Sequence, residues 1–234
     1  MEVIQMVQVS KLSALRCNYG DARKTSNIKY IAIHYTANDG DTALSNAKYF
    51  ARGNRGASAH YFVDSNNIVQ SVEDNYVAWS VGGSKYSDCS KTGGGKFYGM
   101  CTNNNSISIE LCDDVKNGTI YPSEVTIKNA VELTKMLMEK YNISINNVIR
   151  HFDVTGKRCP AYWCGDSEKN AKWQSFKNRL EEKIVKQNIK INGKTKTVDA
   201  INKDGYTYVK IRDLSDALVI EYNKETKLIT VKTK

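Results

Sequence analysis

The sequence predicts an α/β domain, a mixed central β-sheet flanked by helices, followed by a small α+β C-terminal domain. Three observations lead there. Tyr30–Tyr35 and Ser106–Leu111 alternate apolar and polar residues, the period of a half-buried strand. Segments between such runs carry apolar residues at three- and four-residue steps, the spacing of a helix with one buried face. From about Asn188 the chain changes to short strand-like runs broken by turn residues. A length of 234 residues, 41% of them hydrophobic, suffices for a full core and a small second one, and excludes a wholly disordered chain.

Taken in order, the first strand turns Ile31 and Ile33 to one face and Ala32 and His34 to the other, so the histidine leaves the apolar side. A helix is expected from Thr42 to Arg52, capped by an aspartate of Asp39-Gly40-Asp41 and burying Leu44, Ala47 and Phe50 or Ala51. Ser58–Val63 reads as a strand, and after the turn-forming Asp64-Ser65-Asn66-Asn67 the run Ile68–Val72 returns as its hairpin partner. Between Val81 and Met100 the chain is too rich in glycine for a regular element and predicts a surface loop able to edge a groove. Ser106–Leu111 then places Ile107, Ile109 and Leu111 on one face and Glu110 at the end of the polar one. Ser123 caps a helix whose stripe is Ile127, Val131, Thr134, Met138 and Tyr141. A short apolar strand at Val148-Ile149 precedes a third helix, Glu168 to Gln187, with Trp173, Phe176, Leu180 and Ile184 as its stripe.

The boundary is expected near residues 184–190, dividing a main domain, 1–183, from a tail, 188–234. The tail offers strands at Ile189–Ile191, Thr197-Val198, Tyr206–Ile211 and Leu228–Val231, with one short helix over Arg212–Leu218. A piece of this size cannot hold a large active site, and attachment suits it better.

The longest apolar runs, such as Ala217–Ile220, are far short of the roughly 20 residues that cross a bilayer, so no membrane span is expected. Met1-Glu2-Val3-Ile4-Gln5-Met6 lacks the basic start and apolar block of a secretory signal. A net charge of +9 favours anionic polymers without saying which; neither a zinc-finger spacing nor an aromatic RNA-binding signature accompanies it. The six cysteines, Cys17, Cys89, Cys101, Cys112, Cys159 and Cys164, include no C-x-x-C pair, which argues against a zinc ribbon or a thioredoxin-like site. Mostly reduced thiols are expected, with any one free to bind metal.

Only three histidines exist, His34, His60 and His151. His151 follows the Val148-Ile149 strand and stands eight residues before Cys159, a loop length that can bring imidazole and thiolate onto one ion. Catalytic zinc keeps three ligands drawn from His, Cys and carboxylate and leaves a fourth position for water, and His34, His151 and Cys159 can supply such a set. By spacing alone the signal is weak, because isolated histidines are usually solvated or satisfied within the fold.

Tyr30–Thr36, Ala57–Val63, Asn105–Leu111 and His151-Phe152-Asp153 through Lys157-Arg158-Cys159-Pro160, in that order, resemble the type 2 N-acetylmuramoyl-L-alanine amidases, a family that includes phage endolysins and is related to peptidoglycan recognition proteins. The resemblance covers roughly residues 8–175. It implies zinc held by His34, His151 and Cys159, Glu110 positioning or deprotonating the water, and Lys157 as a donor to the developing oxyanion. It places His60 at the site wall or just behind it rather than among the ligands, and Tyr35, Tyr61, Trp79 and the glycine-rich loop as groove residues for sugar and peptide. Where many relatives have histidine this chain has Ser80, which leaves glycan or peptide preference open. The implied reaction is hydrolysis of the amide joining the lactyl group of N-acetylmuramic acid to L-alanine. The tail resembles the small stalk-type repeat of bacterial surface proteins, also found near the N-terminus of some copper amine oxidases, and implies a wall-binding module for an anionic envelope polymer. The expectation is a phage-type endolysin held in the host cytoplasm until lysis. A bacterial autolysin, a non-catalytic muropeptide-binding protein and, more remotely, a nucleic-acid binder driven by charge are the other readings.

Overall fold

Alternation of apolar residues along the strands gives the sheet two different faces, and the helices sort between them. In chain order the elements of the first unit are Val9–Lys11 (β1), Tyr19–Ala22 (β2), Tyr30–Asp39 (β3), Ala43–Phe50 (α1), Tyr61–Val63 (β4), Ile68–Gln70 (β5), Tyr76–Ala78 (β6), Ser106–Asp113 (β7), Glu124–Tyr141 (α2), Val148–Arg150 (β8), His151–Thr155 (α3) and Ser167–Glu181 (α4). The computed structural model describes residues 8–82, 93–181, 184–191, 193–203, 206–209, 211–215, 218–222 and 229–233, and its contacts divide the chain into Met1–Leu180 and Glu181–Lys234.

Six strands form one mixed sheet in the order β1-β5-β4-β7-β3-β8. β3 runs parallel to both β7 and β8, β4 runs parallel to β7, and only the β4–β5 hairpin is antiparallel within this sheet. One face is apolar: Ile31, Ile33, Ile107, Ile109 and Leu111 are buried against Ile127, Val131, Leu133 and Leu137 of α2 and Trp173, Phe176 and Leu180 of α4. Each such side chain taken from water contributes roughly 1.5–3 kcal/mol, so this layer holds the sheet together. On the opposite face α1 covers only part of the surface, with Ala43 and Ala47 against Phe62, Val69 and Cys112, and this is the face from which His34 and Glu110 emerge.

Several expected elements are shorter or start elsewhere. The cap of α1 is Thr42, whose side chain accepts from Ser45 N–H while Ser45 Oγ accepts from Thr42 N–H; Asp41 instead accepts from Asn46 and from Asp113 N–H. The buried positions of α1 are Ala43 and Ala47, and Leu44 is 42% exposed. The strand at Ser58–Val63 reduces to β4 because His60 N–H turns to Ser108 Oγ rather than to a ladder partner. β5 stops at Gln70 because the next two amides, Ser71 and Val72, both turn to the His60 carbonyl. Ser123 does cap α2. Residues 83–92 of the glycine-rich loop lie outside the described residues.

In the second unit Ile184–Ile191 (β9), Lys194–Lys203 (β10) and Tyr206–Val209 (β11) make one antiparallel sheet, and Leu218–Tyr222 (β12) pairs with Ile229–Thr233 (β13). The third helix therefore ends at Glu181, not Gln187, and Ile184 opens a strand that pairs with Ile201. Gly193 takes the left-handed φ of 78° that the tight β9–β10 connection requires. The short helix is a single 3-10 turn, Ile211–Leu214, and Leu218 already belongs to β12. Among the described residues no helix is long and apolar enough to cross a membrane.

Candidate active site

Register between β3 and β7 sets the site. With Ile33 opposite Ile109, His34 falls opposite Glu110. In a parallel pair both side chains then leave the same face, and His34 Nδ1 lies 3.9 Å from Glu110 Oε1. β8 flanks β3 on its other side, Arg150 opposite Ile33, so the next residue, His151, emerges beside His34 with ring centroids 4.7 Å apart. α3 is brief: Gly156 ends it with a left-handed φ of 72°, and the chain doubles back until Phe152 N–H donates to the Cys159 carbonyl at 3.0 Å. That return carries Cys159 Sγ to 3.7 Å from His34 Nδ1. One ligand atom each from His34, His151 and Cys159 lie within 4.8 Å of one another, and all three residues are buried.

Burial, reinforced by His151, Lys157 and His60, holds the His34 imidazole well below its usual range. Burial and the Lys157 charge bring His151 down to about 4. Both rings are therefore neutral at neutral pH and keep a lone pair. Burial, then the Glu110 charge, pushes the Cys159 thiol up, so the sulfur keeps its proton until a cation displaces it. Glu110 is pushed up to about 8 by burial, against the opposing Lys157 charge and with a smaller push from Asp41.

His34 Nε2, His151 Nε2 and Glu110 Oε2 are shielded from solvent and have no hydrogen-bond partner among the described residues. Orphaned buried polar atoms are rare in folded proteins, and three residues gathered with Cys159 each carry one. Two imidazoles and a sulfur are the donor set of a tetrahedral divalent ion with one position left for another ligand. The residues fit such an ion.

The group opens into a cavity of about 710 Å³, also lined by Tyr35, Trp79, Lys157 and Arg158. Lys157 and Arg158 are exposed and place two cations at its rim. Tyr35 is held by an edge-on contact with Tyr162, centroids 5.4 Å apart. Of the residues expected around the groove, Tyr61 is not at the wall and His60 lies behind it. Tyr61 points to the helical side of the sheet, is 3% exposed and donates its hydroxyl to Asp74 at 2.7 Å. His60 is buried beneath the site, with Arg23 Nη2 2.9 Å from its Nε2 and Ser108 Oγ 3.0 Å from its Nδ1. Neither lines the cavity. Residue-level reading overlooked Tyr49, 51% exposed on α1 and facing the same cavity; an aromatic standing off the buried stripe of a helix was its only signal. It also overlooked Arg158, whose signal was adjacency to Lys157.

A mixed sheet with a buried His-His-Cys group at the floor of an open cavity defines an α/β protein whose site residues could hold a metal ion. The chain belongs to the N-acetylmuramoyl-L-alanine amidase family, which matches residues 24–162 and so includes every one of these site residues. The N-acetylmuramoyl-L-alanine amidase CwlL of Bacillus licheniformis is 31% identical over 203 residues, 84% of this chain and 54% of that protein. Among solved structures, a mutant endolysin from Bacillus subtilis superposes with a TM-score of 0.56 at 30% identity, covering 75% of this chain and 99% of that one. The catalytic domain of XlyA does so with 0.56 at 28% identity, covering 74% and 99%. The chain spans about half the length of the curated relatives it matches.

Proposed function

We propose that the chain is a zinc-dependent N-acetylmuramoyl-L-alanine amidase that hydrolyses the amide between the lactyl group of N-acetylmuramic acid and L-alanine in bacterial peptidoglycan. The observation that carries this reading is the convergence of His34, His151 and Cys159 next to Glu110 in a cavity with room for a sugar–peptide junction. His34, His151 and Cys159 would hold the zinc, which when bound would supply Lewis acidity at the amide and lower the pKa of water beside it. Glu110, in its ionised form, takes a proton from the attacking water and returns it to the leaving amine nitrogen. Lys157, at the cavity rim, offers its ammonium to the amide oxygen as that oxygen gains negative charge. Tyr35 and Trp79 orient the substrate, and no covalent enzyme intermediate forms.

The same reading assigns the second unit to attachment on an anionic wall polymer, in keeping with eleven basic against six acidic residues from Lys186 onward. It also assigns the protein an endolysin role, acting on the wall from the host cytoplasm at lysis. The test is zinc analysis of the purified protein together with the chemistry of the ends released from peptidoglycan. New L-alanine amino groups are expected. New reducing sugar ends would make it a glycosidase, and wall binding without turnover a recognition protein. For the second unit, Lys190→Glu with Lys194→Glu in the full chain is expected to release it from purified wall at lower salt; unchanged retention would remove the wall-binding role from these two lysines.

A further inference from the structure

Segment Trp79–Gly82 is pinned at every backbone amide. Trp79 N–H donates to Ser58 Oγ at 3.1 Å. Asn103 Oδ1 accepts the next three in succession, from Ser80 at 3.1 Å, Val81 at 2.9 Å and Gly82 at 3.1 Å. Asn103 is itself anchored, since Arg23 Nη1 donates to its backbone carbonyl at 3.1 Å. This leaves Ser80 with a fixed backbone and an unused side chain. Its Oγ is shielded from solvent yet has no hydrogen-bond partner among the described residues, and the residue lines the cavity shared by His34, Glu110 and His151.

A shielded, unmatched hydroxyl costs roughly 1–3 kcal/mol, and alanine at the same place would avoid that cost. Of the other orphaned hydroxyls, Ser71 Oγ and Tyr162 Oη, neither belongs to a residue lining this cavity. Ser80 is thus, among the described residues, the one that both lines this cavity and carries an orphaned hydroxyl. A hydroxyl both donates and accepts, which matches the C=O and N–H of an amide. Amides are also the groups that flank the scissile bond on both sides, as the acetamido group of the sugar and as the peptide links of the stem.

We propose that Ser80 Oγ is a substrate-binding hydroxyl that hydrogen-bonds an amide of the muramoyl peptide next to the scissile bond, and that it thereby helps decide which wall fragments are accepted. This rests on the amidase reading above. The experiment compares wild type and Ser80→Ala on a soluble N-acetylmuramoyl-L-alanyl peptide and on the same compound without its N-acetyl group, with Tm and zinc content measured on both proteins. Loss of one neutral hydrogen bond predicts a KM for Ser80→Ala roughly 3- to 10-fold higher, with kcat and zinc content at wild-type level and a Tm at or above wild type. If the penalty disappears on the de-N-acetylated compound, the partner is the acetamido group; if it persists, the partner is in the stem peptide. An unchanged KM on both compounds, or a loss confined to kcat or zinc content, overturns the proposal while leaving the amidase reading intact. A wild-type protein that neither cleaves nor binds either compound sinks both.

Discussion

His60 is a proton-linked stabiliser of the fold, and the linkage can be worked out from its surroundings. Its Nε2 faces the Arg23 guanidinium at 2.9 Å and its Nδ1 faces the backbone N–H of Ser108 at 3.0 Å, both obligate donors. Whichever tautomer is present, a second ring proton would point at a donor. Burial, then the Arg23 charge, outweighs the opposing Asp74 charge and the Tyr76 carbonyl and brings the ring down to about 3 from 6.5. Below pH 6.5 the unfolded chain therefore takes up a proton that the folded one refuses. The stabilisation is complete above that pH and is lost as pH falls toward the folded value. At about 1.4 kcal/mol per pH unit this amounts to about 2 kcal/mol by pH 5 and about 5 kcal/mol in full. His34 and His151 titrate in the same direction, so the quantity to measure is the difference between wild type and His60→Gln. Glutamine keeps an acceptor for Arg23 and cannot titrate. Urea unfolding at pH 7 and pH 5, with metal conditions held equal, should show the variant losing about 2 kcal/mol less than wild type over that interval. Equal losses would refute the reasoning, as would an NMR titration in which the folded His60 ring protonates near pH 6.5.

Glu110→Gln is expected to retain zinc but to lower kcat by roughly 10²- to 10⁴-fold, because the proton acceptor is gone while the ligands remain; activity within tenfold of wild type would remove Glu110 from the proton path. Cys159→Ser should purify with little zinc, and a chelator should abolish cleavage by wild type until zinc is restored; stoichiometric zinc in the variant would show that the sulfur is no ligand. Asp74→Ala removes an acceptor shared by Tyr61 (2.7 Å), Gln70 (3.1 Å), Lys140 (2.9 Å) and Tyr141 (2.5 Å). It should cost about 3 kcal/mol of stability in urea unfolding, and a loss below about 1 kcal/mol would mean that water replaces the carboxylate at little cost.

Where local periodicity was strong, the sequence was enough. Alternation in Tyr30–Tyr35 and Ser106–Leu111 put His34 and Glu110 on the polar face, as the structure has them. Helix spacing and a serine cap located α2. Where two periods coexist, tertiary contacts decided. Ile184 stands four residues after Leu180 and so extends a helical stripe, but it also opens the segment, with Val185, Ile189 and Ile191 at alternating positions, that β10 takes up as a strand from Ile184 to Ile191. His60 and Tyr61 sit in a family-like motif beside the site residues, yet one-residue alternation sends Tyr61 to the helical core, and the donors around His60 come from Arg23 and Ser108, 37 and 48 residues away. Nothing near His60 in the chain announces either partner.

By itself, the sequence determined which face of their strands His34 and Glu110 leave, because that depends only on a two-residue period. The meeting of the site residues was decided only by the tertiary structure. His34 and Cys159 are 125 positions apart, and what brings them together is the parallel placement of β3 between β7 and β8 with the sharp return after Gly156. Those pairings are selected by burying the apolar faces against α2 and α4, a cooperative effect of the whole core that no short stretch of residues encodes.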